Sequence, residues 1–318
     1  MLIKPALSIL SPAGPNARLS ILIFHRVMPE PDPLMPDEPT ITQFDHMMCW
    51  VKRWFNVLPL TEAIPRMTTG RLPARAAAIT FDDGYADNYT CALPVLKRHG
   101  LPATFYIATG FLGDGIMWND VVIESVRHAS VKNIDTAHLG LGMLELTSPA
   151  TRRQSLNTVI HAIKHLEPSA RADAVKFIRE ACEPPALPKL MMQHEQLRAL
   201  SNAGMEIGAH TVTHPILAKL GADAARDEIA RSRDELQQLL GRRISTFAYP
   251  NGKRDQDYHQ GTVDIVKSLG FDAAVSTNWG YGHRDANRHE LPRFSPWDRT
   301  KIRYGLRMLG NLRPPPAI

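Results

Sequence analysis

Two short segments carry residues able to do chemistry together. Thr80-Phe81-Asp82-Asp83-Gly84 sets two adjacent carboxylates between an apolar run and a glycine. His210-Thr211-Val212-Thr213-His214 sets two imidazoles four residues apart. Neighbouring side chains of a strand point in opposite directions. One aspartate could therefore bind a cation while the other faces a substrate. Two histidines four apart share one face of a helical turn and can reach a single metal. Imidazole suits zinc and neighbouring first-row metals. Two histidines with one carboxylate make a catalytic zinc set that leaves positions open for water. Each segment alone also has a plain explanation. Asp-Gly is a common turn pair, and a spaced histidine pair occurs on surfaces and in cores without any ligand. Together the segments supply three ligands and a spare carboxylate, and the spare one is suited to take a proton from water.

The elements expected to position these groups alternate. Leu19–Phe24 reads as a buried strand ending in His25-Arg26, and Arg75–Phe81 as one running into Asp82-Asp83. Asn56–Leu58, Ala103–Ala108, Glu206–Ala209, Ser245–Tyr249, Ala273–Ser276 and Leu291–Phe294 read as further strands. Amphipathic helical patterns fall between them, as at Thr42–Phe55, Tyr89–His99, His194–Asn202 and Ala222–Leu240. About seven strands alternating with helices imply an α/β fold, a distorted (β/α) barrel, closed or nearly so. Active sites of such barrels sit at the C-terminal strand ends. His25, Asp82-Asp83 and His210 all fall at such ends. Residues 111–193 break the rhythm with helical patterns at Asp120–His128, Thr151–Leu166 and Ala170–Ala181 and little strand signal. The expected organisation is a single catalytic domain over 1–318, with core motifs at 75–110 and 194–295 and a helical insertion at 111–193. Trp118 and Asn119 of the insertion could line a cleft, or serve as core packing and a helix cap. Asp87 reads as a cap for the helix that follows it. The tail Leu312–Ile318, with Pro314-Pro315-Pro316, reads as extended.

The two chemical motifs, in this order, resemble the first two motifs of the NodB-type polysaccharide deacetylases, carbohydrate esterase family 4. The resemblance runs from about Leu19 to Phe294. It implies that Asp82 is the general base and that Asp83, His210 and His214 hold a divalent metal, expected to be Zn²⁺. Phe247-Ala248-Tyr249-Pro250-Asn251-Gly252 resembles the third motif, a wall of the groove, and implies Tyr249 and Pro250 as substrate-binding, with the Tyr249 N–H as an oxyanion donor. Ser276-Thr277-Asn278-Trp279 resembles the fourth, where a tryptophan lines the acetyl pocket. Leu291-Pro292-Arg293-Phe294 stands at the fifth. Two departures stand out. Ala248 occupies the position where many members carry an arginine that pairs with the catalytic aspartate. Arg293 occupies the position of a histidine general acid. Arginine does not release its proton at neutral pH, so Arg293 is expected to replace the missing arginine as partner of Asp82, and His25 becomes the candidate acid.

The bulk properties narrow the rest. The 318 residues are 44% hydrophobic and 22% charged, as in soluble globular proteins. A net charge of +5 is mild, and no basic-aromatic interleaving suggests nucleic acid. It would suit an anionic glycan, a phosphate-bearing carrier or a membrane surface. The three cysteines, Cys49, Cys91 and Cys182, are too few and too scattered for a disulfide framework. The apolar stretch Ala6–Leu10 is shorter than a signal peptide's core, and no window has the length of a membrane span. These readings favour a cytoplasmic enzyme at the inner face of the membrane. It would act on an acetylated oligosaccharide or lipid-linked amino sugar of exopolysaccharide or envelope biosynthesis. A small-molecule linear-amide amidohydrolase on the same scaffold is the alternative. A non-catalytic glycan-binding relative is disfavoured by the intact set Asp82, Asp83, His210 and His214.

Overall fold

A computed structural model of the chain describes residues 3–313; Pro314-Pro315-Pro316 and the end of the tail lie outside them. Nine strands occur among these residues: β1 Leu19–Phe24, β2 Asn56–Val57, β3 Ala76–Phe81, β4 Thr104–Ile107, β5 Asn133–Asp135, β6 Met143–Glu145, β7 Glu206–Ala209, β8 Thr246–Ala248 and β9 Ala273–Val275. Two compact units share them. The first comprises residues 1–30, 38–112 and 192–318, and the second 31–37 and 113–191.

The first unit is built on one parallel sheet in the order β1-β3-β4-β7-β8-β9, with β2 also on β3. β1 and β3 are buried along their whole length, as strands covered on both faces must be. Alternate side chains enter two different cores. Leu22, Phe24, Ala77, Ile79 and Phe81 pack outward against the helices. Leu19, Ile21, Ala76 and Ala78 turn inward and meet Tyr106, Ala248, Ala273 and Val275. The interior is narrow. A Cβ at Gly208 would come within 2.4 Å of the Tyr106 ring, so β7 passes that ring only as glycine. The expected last strand Leu291–Phe294 is not a regular strand. It is an irregular segment that bridges β9 at Val275↔Leu291 and β1 at Leu22↔Phe294. The Phe294 and Ile23 N–H groups donate across this seam to Ile21 and Phe294 carbonyls. A segment whose bonds run to two neighbours curls the sheet without lengthening it. The helices Ile3–Leu10 and Lys301–Asn311 were not expected; the other elements of this unit match the sequence reading within a residue or two, and Tyr89–His99 begins as a π-helical turn over Asn88–Ala92 before the α-helix Leu93–His99.

The second unit holds three helices, Trp118–Arg127, Pro149–Ile163 and Pro168–Cys182. They bury Val122, Val126, Val159, Ile163, Ile178 and Cys182 in a core of their own. It also contains an antiparallel pair, β5–β6, where little strand signal was expected. These strands have three residues each and bury only their central one, too short to give a period. The turn between them needs positive φ at Gly140 and Gly142. Trp118 packs at the edge of this core under the Arg171 guanidinium. Asn119 lies inside the first helical turn and not at its cap, which is Met117. No helix among the described residues is long and apolar enough to cross a membrane.

Candidate active site

The candidate site forms where β1, β3 and β7 end. Residues 76, 78, 80 and 82 of β3 and its extension share the inward face, so Asp82 points into the mouth of the curled sheet. Strict alternation would send Asp83 the opposite way. It does not, because Asp83 adopts φ +75 and leaves the strand. Aspartate tolerates this left-handed region better than most residues, and Gly84 follows at φ +91. Both carboxylates therefore face the same histidines. His210 Nε2 lies 3.4 Å from Asp83 Oδ1 and 3.9 Å from Asp82 Oδ2. His214 Nε2 lies 3.5 Å from Asp83 Oδ1.

The histidine pair is not helical, contrary to the expectation from its spacing. Thr211 and His214 both have positive φ, +64 and +53, and the segment is a tight loop. The Thr211 hydroxyl accepts from the His214 N–H at 3.1 Å. The Thr211 and Val212 carbonyls accept from the Thr109 and Gly110 N–H groups. A Cβ at Gly110 would sit 2.8 Å from the Val212 oxygen. Glu228, on the helix Ala222–Leu240, accepts from the Val212 N–H, the Thr213 N–H and the Thr213 hydroxyl at 2.8–2.9 Å. Sequence reading missed Glu228, since nothing in a solvent-facing helix pattern marks a carboxylate that holds a distant loop. Glu228→Ala removes three bonds that shape the loop carrying His214. It is expected to weaken metal binding by about 10–100-fold, read by competitive chelator titration. Unchanged affinity would mean that the loop holds its own shape.

Asp83, His210 and His214 offer ligand atoms that all lie within 4.8 Å of one another. Asp83 Oδ1 is buried and has no hydrogen-bond partner among the described residues, a costly state unless a cation or donor fills it. His210 Nδ1 is engaged by the Ala248 carbonyl at 2.7 Å, which leaves Nε2 as the free ligand atom. The donor set thus fits a first-row divalent metal. Charges in the cluster follow from burial and proximity. Burial raises the Asp83 carboxyl, but the close approach of the His210 and His214 imidazoles outweighs it and holds Asp83 well below the carboxylate range. Burial pulls His214 down to about 4 against the opposing pull of Asp83. His210 is pushed down by burial and raised further by Asp82 and Asp83, ending above its ordinary value. A metal needs the neutral His210 imidazole, whose proton is held more firmly than usual, so affinity is expected to fall as pH drops and binding is expected to release a proton. Calorimetry in two buffers of different ionisation enthalpy measures that proton, and a release of zero would contradict the assignment.

Asp82 has a different partner. Arg293 Nη1 and Nη2 donate to its two oxygens, both at 2.7 Å. Its Nε donates to the Ser276 carbonyl and Nη1 also to the Thr80 hydroxyl. The guanidinium lies 5.5 Å from the centre of the Tyr106 ring, and Arg293 is fully buried. Burial raises the Asp82 carboxyl, but Arg293 and then His210 outweigh it and keep it below its usual value. The arginine expected as a partner for Asp82 thus reaches it from the segment Leu291–Phe294.

The remaining expected residues divide. His25 is half-buried at the end of β1, near enough to Asp82, Asp83 and His214 to act on them electrostatically. Its carbonyl accepts from Asn88 Nδ2. Asp87 makes no side-chain cap. It instead binds Arg26 Nε at 2.8 Å and accepts from the Val27 N–H, fixing the backbone on which His25 sits. Tyr249 departs from expectation. Its N–H is engaged by the Val275 carbonyl of β9 at 3.2 Å. Its ring lies on the outward side of β8, stacked on Tyr258 at 3.9 Å, with the hydroxyl donating to the His289 carbonyl. Ala248 takes the inward position, so strand alternation alone turns Tyr249 away. Pro250 is buried and has no N–H. The next donor is the Asn251 N–H, on a residue at φ +58, and it has no partner among the described residues. Trp279 is half-exposed beside Phe294.

A parallel curled sheet with an aspartate-histidine cluster and a buried second aspartate at its mouth defines a hydrolase-type site. The polysaccharide deacetylase family profile matches residues 69–274. YxkH of Bacillus subtilis, named for a polysaccharide deacetylase, is 22% identical over 279 residues, covering 87% of this chain and 71% of that one. The poly-beta-1,6-N-acetyl-D-glucosamine N-deacetylase of Staphylococcus aureus is 25% identical over 175 residues, 52% of this chain and 59% of the relative. The alignment thus spans little more than half of that relative's length. Among solved structures, the deacetylase PplD of Streptococcus pyogenes superposes with a TM-score of 0.62 at 19% identity, over 94% of this chain and 99% of that one. IcaB from Ammonifex degensii gives 0.60 at 18%, over 95% and 99%. The chain belongs to the polysaccharide deacetylase family and is an N-deacetylase by class.

Proposed function

We propose that this chain removes N-acetyl groups from an amino-sugar residue of a glycan, with Asp82 as the general base and Asp83, His210 and His214 as the holders of a divalent metal, zinc by donor type. The observation that carries the reading is the pairing of two unlike carboxylates. One is left without a hydrogen bond among histidines, and the other is held ionised by a buried arginine. A divalent ion on the first set would polarise the acetamide carbonyl and acidify water. Asp82, ionised at neutral pH and fixed by two bonds, accepts the proton of the attacking water. Arg293 steadies Asp82 as the charge moves, and it releases no proton itself. The Asn251 N–H, not that of Tyr249, is the open backbone donor on the adjacent loop for the developing oxyanion. His25 gives the leaving amine its proton, on a backbone that Asp87 and Asn88 hold in place.

The substrate class is an acetylated oligosaccharide or polymer of an exopolysaccharide or envelope glycan, supported by the name of the staphylococcal relative. Acetate release from N-acetylglucosamine oligomers and from small linear amides tests this. Release from the oligomers alone supports the glycan reading, and release from the small amides alone moves the amidohydrolase alternative ahead. His25→Gln is expected to lower kcat by about 10²–10⁴ at unchanged metal content, and an unaltered kcat removes His25 from the mechanism.

A further inference from the structure

Trp279 does not stand alone at the surface. Trp297 lies beside it with ring centres 6.2 Å apart and planes at 63°, and the two are 49% and 47% exposed. Large exposed aromatic surface mostly marks a place of contact. Both rings are braced from behind or from the side. Phe294 backs Trp279 at 5.2 Å. The Arg307 guanidinium lies 4.0 Å over the Trp297 ring and 6.0 Å from that of Trp279. Arg307 is itself held by Asp298. The patch is continuous with the proposed site. The Asn278 carbonyl, next to Trp279, accepts from the Arg293 N–H, and Phe294 follows the arginine that holds Asp82. Along it runs a shallow groove of about 400 Å³ lined by Trp279, Asp298, Arg303, Leu306, Arg307 and Gly310.

We propose that Trp279, Trp297 and the Arg307–Asp298 pair form a glycan platform. It would bind sugar residues next to the one that loses its acetyl group. The inference rests on the N-deacetylase reading and extends it to a substrate of several linked sugars. A pyranose has an apolar C–H face and a polar rim. An indole face accepts the first, and fixed arginine and aspartate groups at the margin accept and donate to the second. Braced rings lose little side-chain freedom when a ligand arrives. A lipid surface is the competing occupant, because Ile302 and Leu306 on the helix Lys301–Asn311 are 72% and 58% exposed. The continuity with Arg293 and the fixed donor-acceptor pair Arg307–Asp298 favour sugar.

The test uses β-1,4- and β-1,6-linked N-acetylglucosamine oligomers from dimer to hexamer, with wild type and Trp297→Ala. The platform predicts a KM that falls with chain length in wild type. In the variant it predicts a KM about tenfold higher for the hexamer, with less than a twofold change for the dimer. Tryptophan fluorescence, titrated with hexamer on an Asp82→Asn background, reads binding without turnover, and the quench is expected to disappear with Trp297. Arg307→Gln serves if Trp297→Ala does not fold, and it is expected to shift hexamer KM in the same direction. Equal KM values at every length with an unchanged quench overturn the platform. So does cosedimentation with phosphatidylglycerol vesicles that needs Trp297 while no oligomer quenches. If wild type binds hexamer through Trp297 but releases no acetate, the platform stands and the deacetylase reading falls.

Discussion

Asp82→Asn is expected to lower kcat by about 10²–10⁴, the range for loss of a positioned general base, while metal content stays at the wild-type level. The substitution is close to isosteric. Asparagine keeps an oxygen able to accept one of the two Arg293 bonds, and the guanidinium keeps the Ser276 carbonyl and the Thr80 hydroxyl. None of the three proposed metal ligands is altered. What is lost is the ability to take a proton. Steady-state acetate release with metal analysis on the same sample measures both quantities. A variant that loses metal together with activity would place Asp82 among the ligands, and a variant that keeps its activity would remove it from the chemistry.

Arg293→Ala is expected to have the largest effect on stability. It leaves Asp82 buried without its cation, and breaking a buried pair by removing one partner costs about 3–5 kcal/mol. The sign of the pH dependence follows from Asp82, whose carboxyl sits below its ordinary value in the folded protein. The pair's contribution is full above the ordinary carboxylate pKa and is lost as pH falls through the lowered folded value. The stability gap between wild type and variant should therefore be widest near neutral pH and close in acid. Without Arg293, burial would raise the Asp82 carboxyl. The acid limb of the activity profile should then move to higher pH. Chemical denaturation at neutral and acidic pH, with a pH–rate profile, checks both. A gap independent of pH would mean that Arg293 acts through packing under Tyr106 and not through Asp82.

Much of this arrangement could be read from residue types. Strands buried on both faces appear as nearly continuous apolar runs such as Leu-Ser-Ile-Leu-Ile-Phe at 19–24, and His25 and Asp82-Asp83 follow such runs. The Arg293–Asp82 pairing was legible only through the family resemblance, which marks Ala248 as lacking an arginine and Arg293 as carrying one. Local geometry set by φ was not legible. The spacing of His210 and His214 fits a helical turn, yet positive φ at Thr211 and His214 makes a loop of it. That loop is shaped by Glu228, whose part depends on tertiary placement. Tyr249 faces outward, contrary to what the resemblance implies, because strand alternation sets its neighbour Ala248 inward. The β5–β6 hairpin was too short to register.

A metal on Asp83, His210 and His214 is proposed to be required for glycan N-deacetylation. Acetate release from N-acetylglucosamine oligomers is measured with the purified protein as isolated, after chelation, and after return of one equivalent of zinc, with metal content determined at each stage. Release is expected to disappear with the metal and to return with it. Release that continues at full rate from protein shown to be metal-free would contradict that requirement.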